Sequence, residues 1–361
     1  MQFTERLEMS HPIKMIGRSP AFAFVFFSVF FCNIASGEPL IDARLLIAKK
    51  DYFGAEIILK SEADKGDVEA QAELGSLYDT YGEKIHNDIL SEKYFRLAAD
   101  RGNSFAQYRL ALNLLFGNGV SENKPEAAVY FKKAADQGEI RAKSYLGLML
   151  STGQGVQRDL RKAVEYTEGA AQGGWTPAIT RLGLHYRDGM GVAQDFGKAI
   201  ALFEEADQKG DQEAAGLLGD CYYDGIVVQK DFKKALHYYS RATIVASAQY
   251  HLGLMYYNGY GTSIDYKKAE EFFRHAASPR IANHKKSQLW LGFLYDSGKS
   301  VPQNFELAYM WYNIAATDGD QEAIKFRDAV FSKLSPTQIY QAQQKTRMCL
   351  DGSNILCFQF D

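Results

Sequence analysis

Residues 142–174, AKSYLGLMLSTGQGVQRDLRKAVEYTEGAAQGG, decide the fold of this chain. Ala142, Leu146 and Leu150 recur every four residues, so they share one face of a first helix. Gly153 and Gly155 break that helix, since glycine tolerates the left-handed backbone a helix end needs. Asp159 follows at an N-cap position, its carboxylate able to take an orphan N–H of the next helix. Ala163, Tyr166, Ala170 and Ala171 mark the inner face of a second helix, and Gly173-Gly174 ends it. Two short helices cannot bury their apolar faces alone, so the unit is expected to stack on copies of itself.

The copies are present. Leu146-Gly147 recurs as Leu74-Gly75, Leu182-Gly183, Leu218-Gly219, Leu252-Gly253 and Leu291-Gly292, with Leu110-Ala111 as a degenerate member. Thirteen residues after each leucine stands an Asp or Asn: Asn87, Asn123, Asp159, Asp195, Asp231, Asp265 and Asn304. Small residues of the second helix keep the same register, at Ala98-Ala99, Ala134-Ala135, Ala170-Ala171, Ala206, Ala242, Ala276-Ala277 and Ala315-Ala316. These spacings predict an all-α chain in which seven helix–turn–helix units form a solenoid.

The pattern resembles the Sel1-like repeat family, a class of tetratricopeptide-like α-solenoids. Ala178-x3-Leu182-Gly183-x2-Tyr186, Gly189-x-Gly191-Val192-x2-Asp195 and Lys198-Ala199 carry it most completely. The resemblance runs from about Gly66 to Gly319 and implies a right-handed superhelix. Repeat one departs at Tyr81-Gly82-Glu83, repeat five at Val227, and repeat six begins at Ser247-Ala248 without a preceding glycine. The joins before Leu252 and Leu291 are irregular, the latter containing Ser278-Pro279-Arg280. They predict a change of curvature between Ala242 and Leu291.

The four segments expected are a secretory signal peptide (1–37), N-terminal capping helices (38–65), seven repeats (66–318), and C-terminal capping helices with a tail (319–361). The apolar run Ala21 to Phe31 follows Arg18 and is too short for a comfortable membrane span. Ala35-Ser36-Gly37 supplies the small residues of a cleavage site, so the mature protein is expected in the periplasm or outside the cell, with no membrane span left. Met15 is an alternative start, and Phe30-Phe31 before Cys32 argues against a lipid anchor. At the other end, Ser335 and Pro336 read as the N-cap and first residue of a closing helix.

Net charge is −3, which excludes the basic field of a general nucleic-acid binder. Cys221 reads as a buried small apolar residue. Cys349 and Cys357 have the spacing of a small disulfide loop, with bonded and free forms both open. Some secreted members of the family carry Cys-x7-Cys in every repeat; here the spacing occurs once, outside the repeats.

The glycine turns follow helices and lack Gly-Lys-Ser/Thr, so they are not phosphate loops. The histidines show no metal-ligand spacing. Ser121-x2-Lys124 lacks the partner motifs of penicillin-recognising enzymes. Neither enzymatic activity, a cofactor nor a metal is therefore expected. The resemblance implies a non-catalytic interaction scaffold with a protein or peptide partner, without choosing among envelope assembly, signalling and host contact; with the signal segment the expected setting is the cell envelope, peptidoglycan association among the candidates. The alternative is a cell-wall enzyme of the β-lactamase or penicillin-binding type. Positions Leu−2, Leu+2, Leu+5 and Leu+6 of each first helix read as a concave face. On it Tyr108, Phe116, Arg187, Tyr223, Tyr250 and Tyr257 are the candidate partner-binding residues, because aromatics and arginine carry interface energy.

Overall fold

A computed structural model describes residues 38–80, 85–278, 284–299 and 302–350. The signal segment with Met15 and Cys32, the turn Tyr81-Gly82-Glu83, Pro279-Arg280 and Cys357 lie outside the described residues.

The described chain is helical and contains no strand. A leading pair, α1 (Pro39–Ala48) and α2 (Tyr52–Asp64), is followed by seven two-helix units. These are α3 (Val68–Thr80) with α4 (Asp88–Asp100), α5 (Ser104–Phe116) with α6 (Lys124–Asp136), and α7 (Ile140–Thr152) with α8 (Leu160–Gln172). They continue as α9 (Thr176–Asp188) with α10 (Phe196–Gln208), α11 (Gln212–Asp224) with α12 (Phe232–Arg241), and α13 (Ala246–Asn258) with α14 (Tyr266–Ala277). The last unit is α15 (Lys285–Ser297) with α16 (Phe305–Ala315), and α17 (Gln321–Phe331) and α18 (Pro336–Leu350) close the stack. From α1 to α17 each helix packs on the next in chain order, the arrangement of an α-solenoid, and α18 packs back on α16.

The turn chemistry is the same in unit after unit. The seven Asp and Asn side chains expected to cap the second helices all do so, accepting the backbone N–H three residues on. Asp195 takes that of Lys198 at 2.9 Å, and Asn304 that of Leu307 at 3.0 Å. The N–H of the same capping residue donates to the carbonyl at Leu+4, as from Asp195 to Tyr186 at 2.8 Å, which fixes the loop length. The second turn glycine has a separate reason. A Cβ on Gly191 would lie 2.2 Å from the Leu160 carbonyl oxygen at the start of α8, in the preceding unit. At φ +81° the position is also left-handed, so two constraints select glycine there.

The core runs the length of the stack as a series of adjoining apolar clusters. Its centre in each unit is a residue 21 positions after the anchor leucine: Phe95, Phe131, Phe203, Tyr239, Phe273 and Tyr312, all fully buried. The exception is Thr167 in repeat three. Each of these rings lies under the glycine or alanine that follows the anchor leucine. A Cβ on Gly183 would stand 2.5 Å from Phe203, so the small residue is the socket for the ring. Buried glutamines join units: Gln71, Gln107 and Gln249 donate to the carbonyls of Ala63, Ala99 and Ala242 in the preceding unit.

The stack changes between repeats five and six, where the spacing irregularity begins. α12 is 10 residues long against 13 in α10, and Ala242 rather than a left-handed glycine follows it. At the C-terminal end Ser335 caps α18 through a reciprocal box. Its Oγ accepts from Gln338 N at 3.3 Å, and Gln338 Oε1 accepts from Ser335 N at 3.0 Å. Cys221 is a buried free thiol, and burial pushes its pKa up to about 11. Cys349 is buried and disulfide-bonded, its partner outside the described residues.

Candidate functional site

The first helices bury more than one flank, because each packs on its own second helix, on the second helix before it and along its neighbouring first helices. At about 100° per residue, positions Leu−5, Leu−1, Leu+2 and Leu+6 fall within one narrow arc, and Leu−2 falls outside it. Burial follows this geometry. Leu−1 is half-buried in all seven repeats, as Glu73, Arg109, Tyr145, Arg181, Leu217, His251 and Trp290. Leu−2 is buried in repeats one to five, as Ala72, Tyr108, Ser144, Thr180 and Gly216. The open face is thus centred between Leu−1 and Leu+2; of the four offsets read in the sequence, Leu+2 and Leu+6 lie on it, while Leu−2 and Leu+5 fall at its buried flank.

This shift corrects Tyr108. It is 6% exposed and packs against Phe131, Tyr145 and the guanidinium of Arg141, and burial pushes its pKa up to about 12. Leu115 is likewise buried. Phe116 is exposed at the C-terminal end of α5. Arg187 is half-buried and paired with the neighbouring Asp188 at 2.7 Å, so its charge is already matched. Tyr223 lies among Phe232, Tyr239, His251 and Tyr260. Tyr250 packs between His251, Phe273 and His284. Tyr257 meets Tyr266, Trp290 and Phe293, and its hydroxyl accepts from Lys299 at 2.6 Å. The structure brings Tyr223, Tyr250 and Tyr257 into one half-buried aromatic band on α11, α13 and α15, and leaves Phe116 and Arg187 apart from it.

The residues missed by the offset give the open face its chemistry, which varies along the stack. Glu69 and Glu73 on α3 engage Arg44. Arg109 on α5 pairs with Asp79, and Arg141 on α7 with Glu139 at 2.8 Å. Among the described residues Arg181 on α9 donates only to Ser144, at 3.1 Å to the carbonyl and 2.9 Å to Oγ. On α11, burial raises the pKa of both Glu213 and Asp220. Tyr239 donates to Asp220 at 2.7 Å, and His251, whose pKa burial lowers, stands 3.6 Å from it. A basic middle is therefore followed by an acidic step and then by the aromatic band.

Ser121 and Lys124 flank Asn123, which caps α6, and Lys124 pairs with Glu122 at 3.2 Å. Among the described residues no group of three His, Cys, Asp or Glu is placed to hold a metal, and no helix is long and apolar enough to cross a membrane.

An all-helical stack with a long open face defines the α-solenoid class. Within that class, the Sel1 repeat model matches residues 68–103, 104–139, 140–175, 176–211, 212–243, 246–278 and 285–320, and the chain belongs to the Sel1 repeat family. Among solved structures, a Sel1 repeat protein from Oxalobacter formigenes is 27% identical, with a TM-score of 0.62 over 67% of this chain and 97% of that one. The protective antigen c5321 of uropathogenic Escherichia coli strains is 23% identical over 82% of this chain and 79% of that one, with a TM-score of 0.47. No curated protein matches the sequence.

Proposed function

We propose that this protein is a non-catalytic interaction scaffold of the bacterial cell envelope that lays a protein or peptide partner along the concave side of its solenoid. The observation that carries the reading is the open face itself. Seven first helices present Leu−1 and Leu+2 side chains in register, and these include arginines, carboxylates and aromatic rings in the part-buried state that interface anchors adopt. The family is one of interaction solenoids, which agrees with it. Envelope placement is supported by the charged start, apolar run and small-residue exit of residues 1–37, and by the disulfide at Cys349, a bond that persists in oxidising compartments.

Two measurements test this. A photo-crosslinking residue at Leu184, on the open face, should trap a discrete envelope protein, while one at Arg161, on the outer surface of α8, should not. Equal labelling from both positions would remove the concave face from the reading. Mass spectrometry of native protein should find an N-terminus near Glu38; an intact start in a membrane fraction would remove the export claim. Turnover of nitrocefin by purified protein would favour the cell-wall enzyme instead.

A further inference from the structure

Arg181 differs from the other arginines of the open face. Arg109 and Arg141 each have a carboxylate partner, at Asp79 and Glu139. Arg181 pairs with no carboxylate of the described residues. Its Nη1 is held by two acceptors of one residue, the Ser144 carbonyl and hydroxyl. That anchoring fixes the guanidinium plane and leaves the Nε and Nη2 edge without an acceptor among the described residues. This is the edge that grips a carboxylate with two parallel hydrogen bonds. The group is recessed enough that burial lowers its pKa. Leaving a recessed cation unmatched is costly, so an anion entering here recovers more than it would at a solvated arginine.

The surroundings suit a carboxylate. Tyr145, the Leu−1 residue of the preceding unit, stacks on Phe131 at 5.2 Å, and its hydroxyl makes no hydrogen bond to the described residues. Burial raises the pKa of Tyr145, and Arg181, Arg109 and Arg141 all act to lower it, so its hydroxyl stands in the field of three guanidinium groups. Glu213 on α11 is the nearest competing anion. Its charge acts on Arg181 without forming an ion pair.

We infer that the recess between α7 and α9 takes a side-chain carboxylate of an extended acidic peptide segment, gripped by the Nε and Nη2 edge of Arg181 and by the Tyr145 hydroxyl. This rests on the concave-face reading and names the chemistry of the partner. A nucleic acid is the weaker match, since a single guanidinium lines the recess and the net charge of the chain is −3.

The test uses the purified protein and a fluorescein-labelled hexaglutamate peptide, with hexaglutamine as control, read by fluorescence anisotropy at low ionic strength. Hexaglutamate should bind, hexaglutamine should not, and added salt should weaken binding. Arg181→Gln should lower affinity roughly tenfold or more, the loss of one charge-assisted pair. Arg161→Gln, which removes an exposed outer arginine, should leave it unchanged. Tyr145→Phe removes one hydroxyl while keeping the ring stack, and should cost a few-fold. It serves as the decisive variant if Arg181→Gln melts early. Equal binding of the two peptides, equal loss at Arg161 and Arg181, or tighter binding of a charge-matched oligothymidine would overturn the assignment. Unchanged trapping of an envelope partner at Leu184 in the Arg181→Gln protein would sink this inference and leave the scaffold reading standing. Absence of trapping in the wild type, with hexaglutamate still bound through Arg181, would sink the scaffold reading and leave only the carboxylate site.

Discussion

At the residue scale, Tyr108 and Phe116 separate packing from exposure on one helix. Both lie on α5 and both are aromatic, yet one is buried and the other is 42% exposed. Tyr108→Ala should therefore destabilise the protein by about 3 kcal/mol or more, as large-to-small core changes do. Phe116→Ala should stay within about 0.5 kcal/mol. Denaturant titration checks both, and comparable losses would show that Phe116 also packs. His284 makes a second residue-scale case. Its Nδ1 accepts the Ser287 N–H and so caps α15. Burial, with Lys286 and His251 nearby, lowers its pKa from 6.5 to about 4. The folded pKa lies below the unfolded one, so the contribution of the neutral ring is complete above about 6.5. It is lost as pH falls from there towards about 4, an effect on the order of 3 kcal/mol. His284→Asn keeps a capping acceptor and removes the titration. Its melting temperature should drop less than that of the wild type between neutral pH and pH ~4.5; parallel drops would assign the acid sensitivity elsewhere.

At the element scale, the first and second helices of a unit meet through one socket. Gly183 leaves room for Phe203, and even a methyl group there would sit 2.5 Å from the ring. Gly183→Ala should cost about 1–3 kcal/mol by overpacking. Trimming the ring should relieve it, so Gly183→Ala with Phe203→Leu should lose less than the sum of the two single changes. Strict additivity in a double-mutant cycle would mean that the two positions do not share this contact. Repeat three solves the same problem differently. Thr167 replaces the ring, bonds its hydroxyl to the Ala163 carbonyl at 2.7 Å, and would stand 2.6 Å from a Cβ on Gly147.

At the scale of the whole molecule, stability passes from unit to unit through nearest neighbours. The short α12 and the glycine-free join at Ala242 make repeats five and six the weakest interior contact. Hydrogen exchange should therefore show α12 and the start of α13 opening before α6 to α10, at lower free energy than the central repeats. Simultaneous exchange across α5 to α14 would show a single cooperative block instead.

The repeat, its register and its caps are legible in the chain alone, because these depend on contacts within about twenty residues. A glycine turn, an Asp or Asn N-cap and an alanine pair each have a local physical cause that spacing reveals. The socket ring was legible in principle, since aromatics recur 21 residues after the anchor leucine, but its partner was not, since no local rule pairs a glycine with a ring on another helix. The face open to a partner was decided by tertiary structure. A first helix packed on several sides leaves a narrower free arc than an amphipathic helix packed on one, and that kept Leu+2 and Leu+6 on the open face while replacing Leu−2 and Leu+5 by Leu−1 and Leu−5. Tyr108 was buried by that packing, and Arg181, which pairs with no carboxylate of the described residues, was placed on the open face.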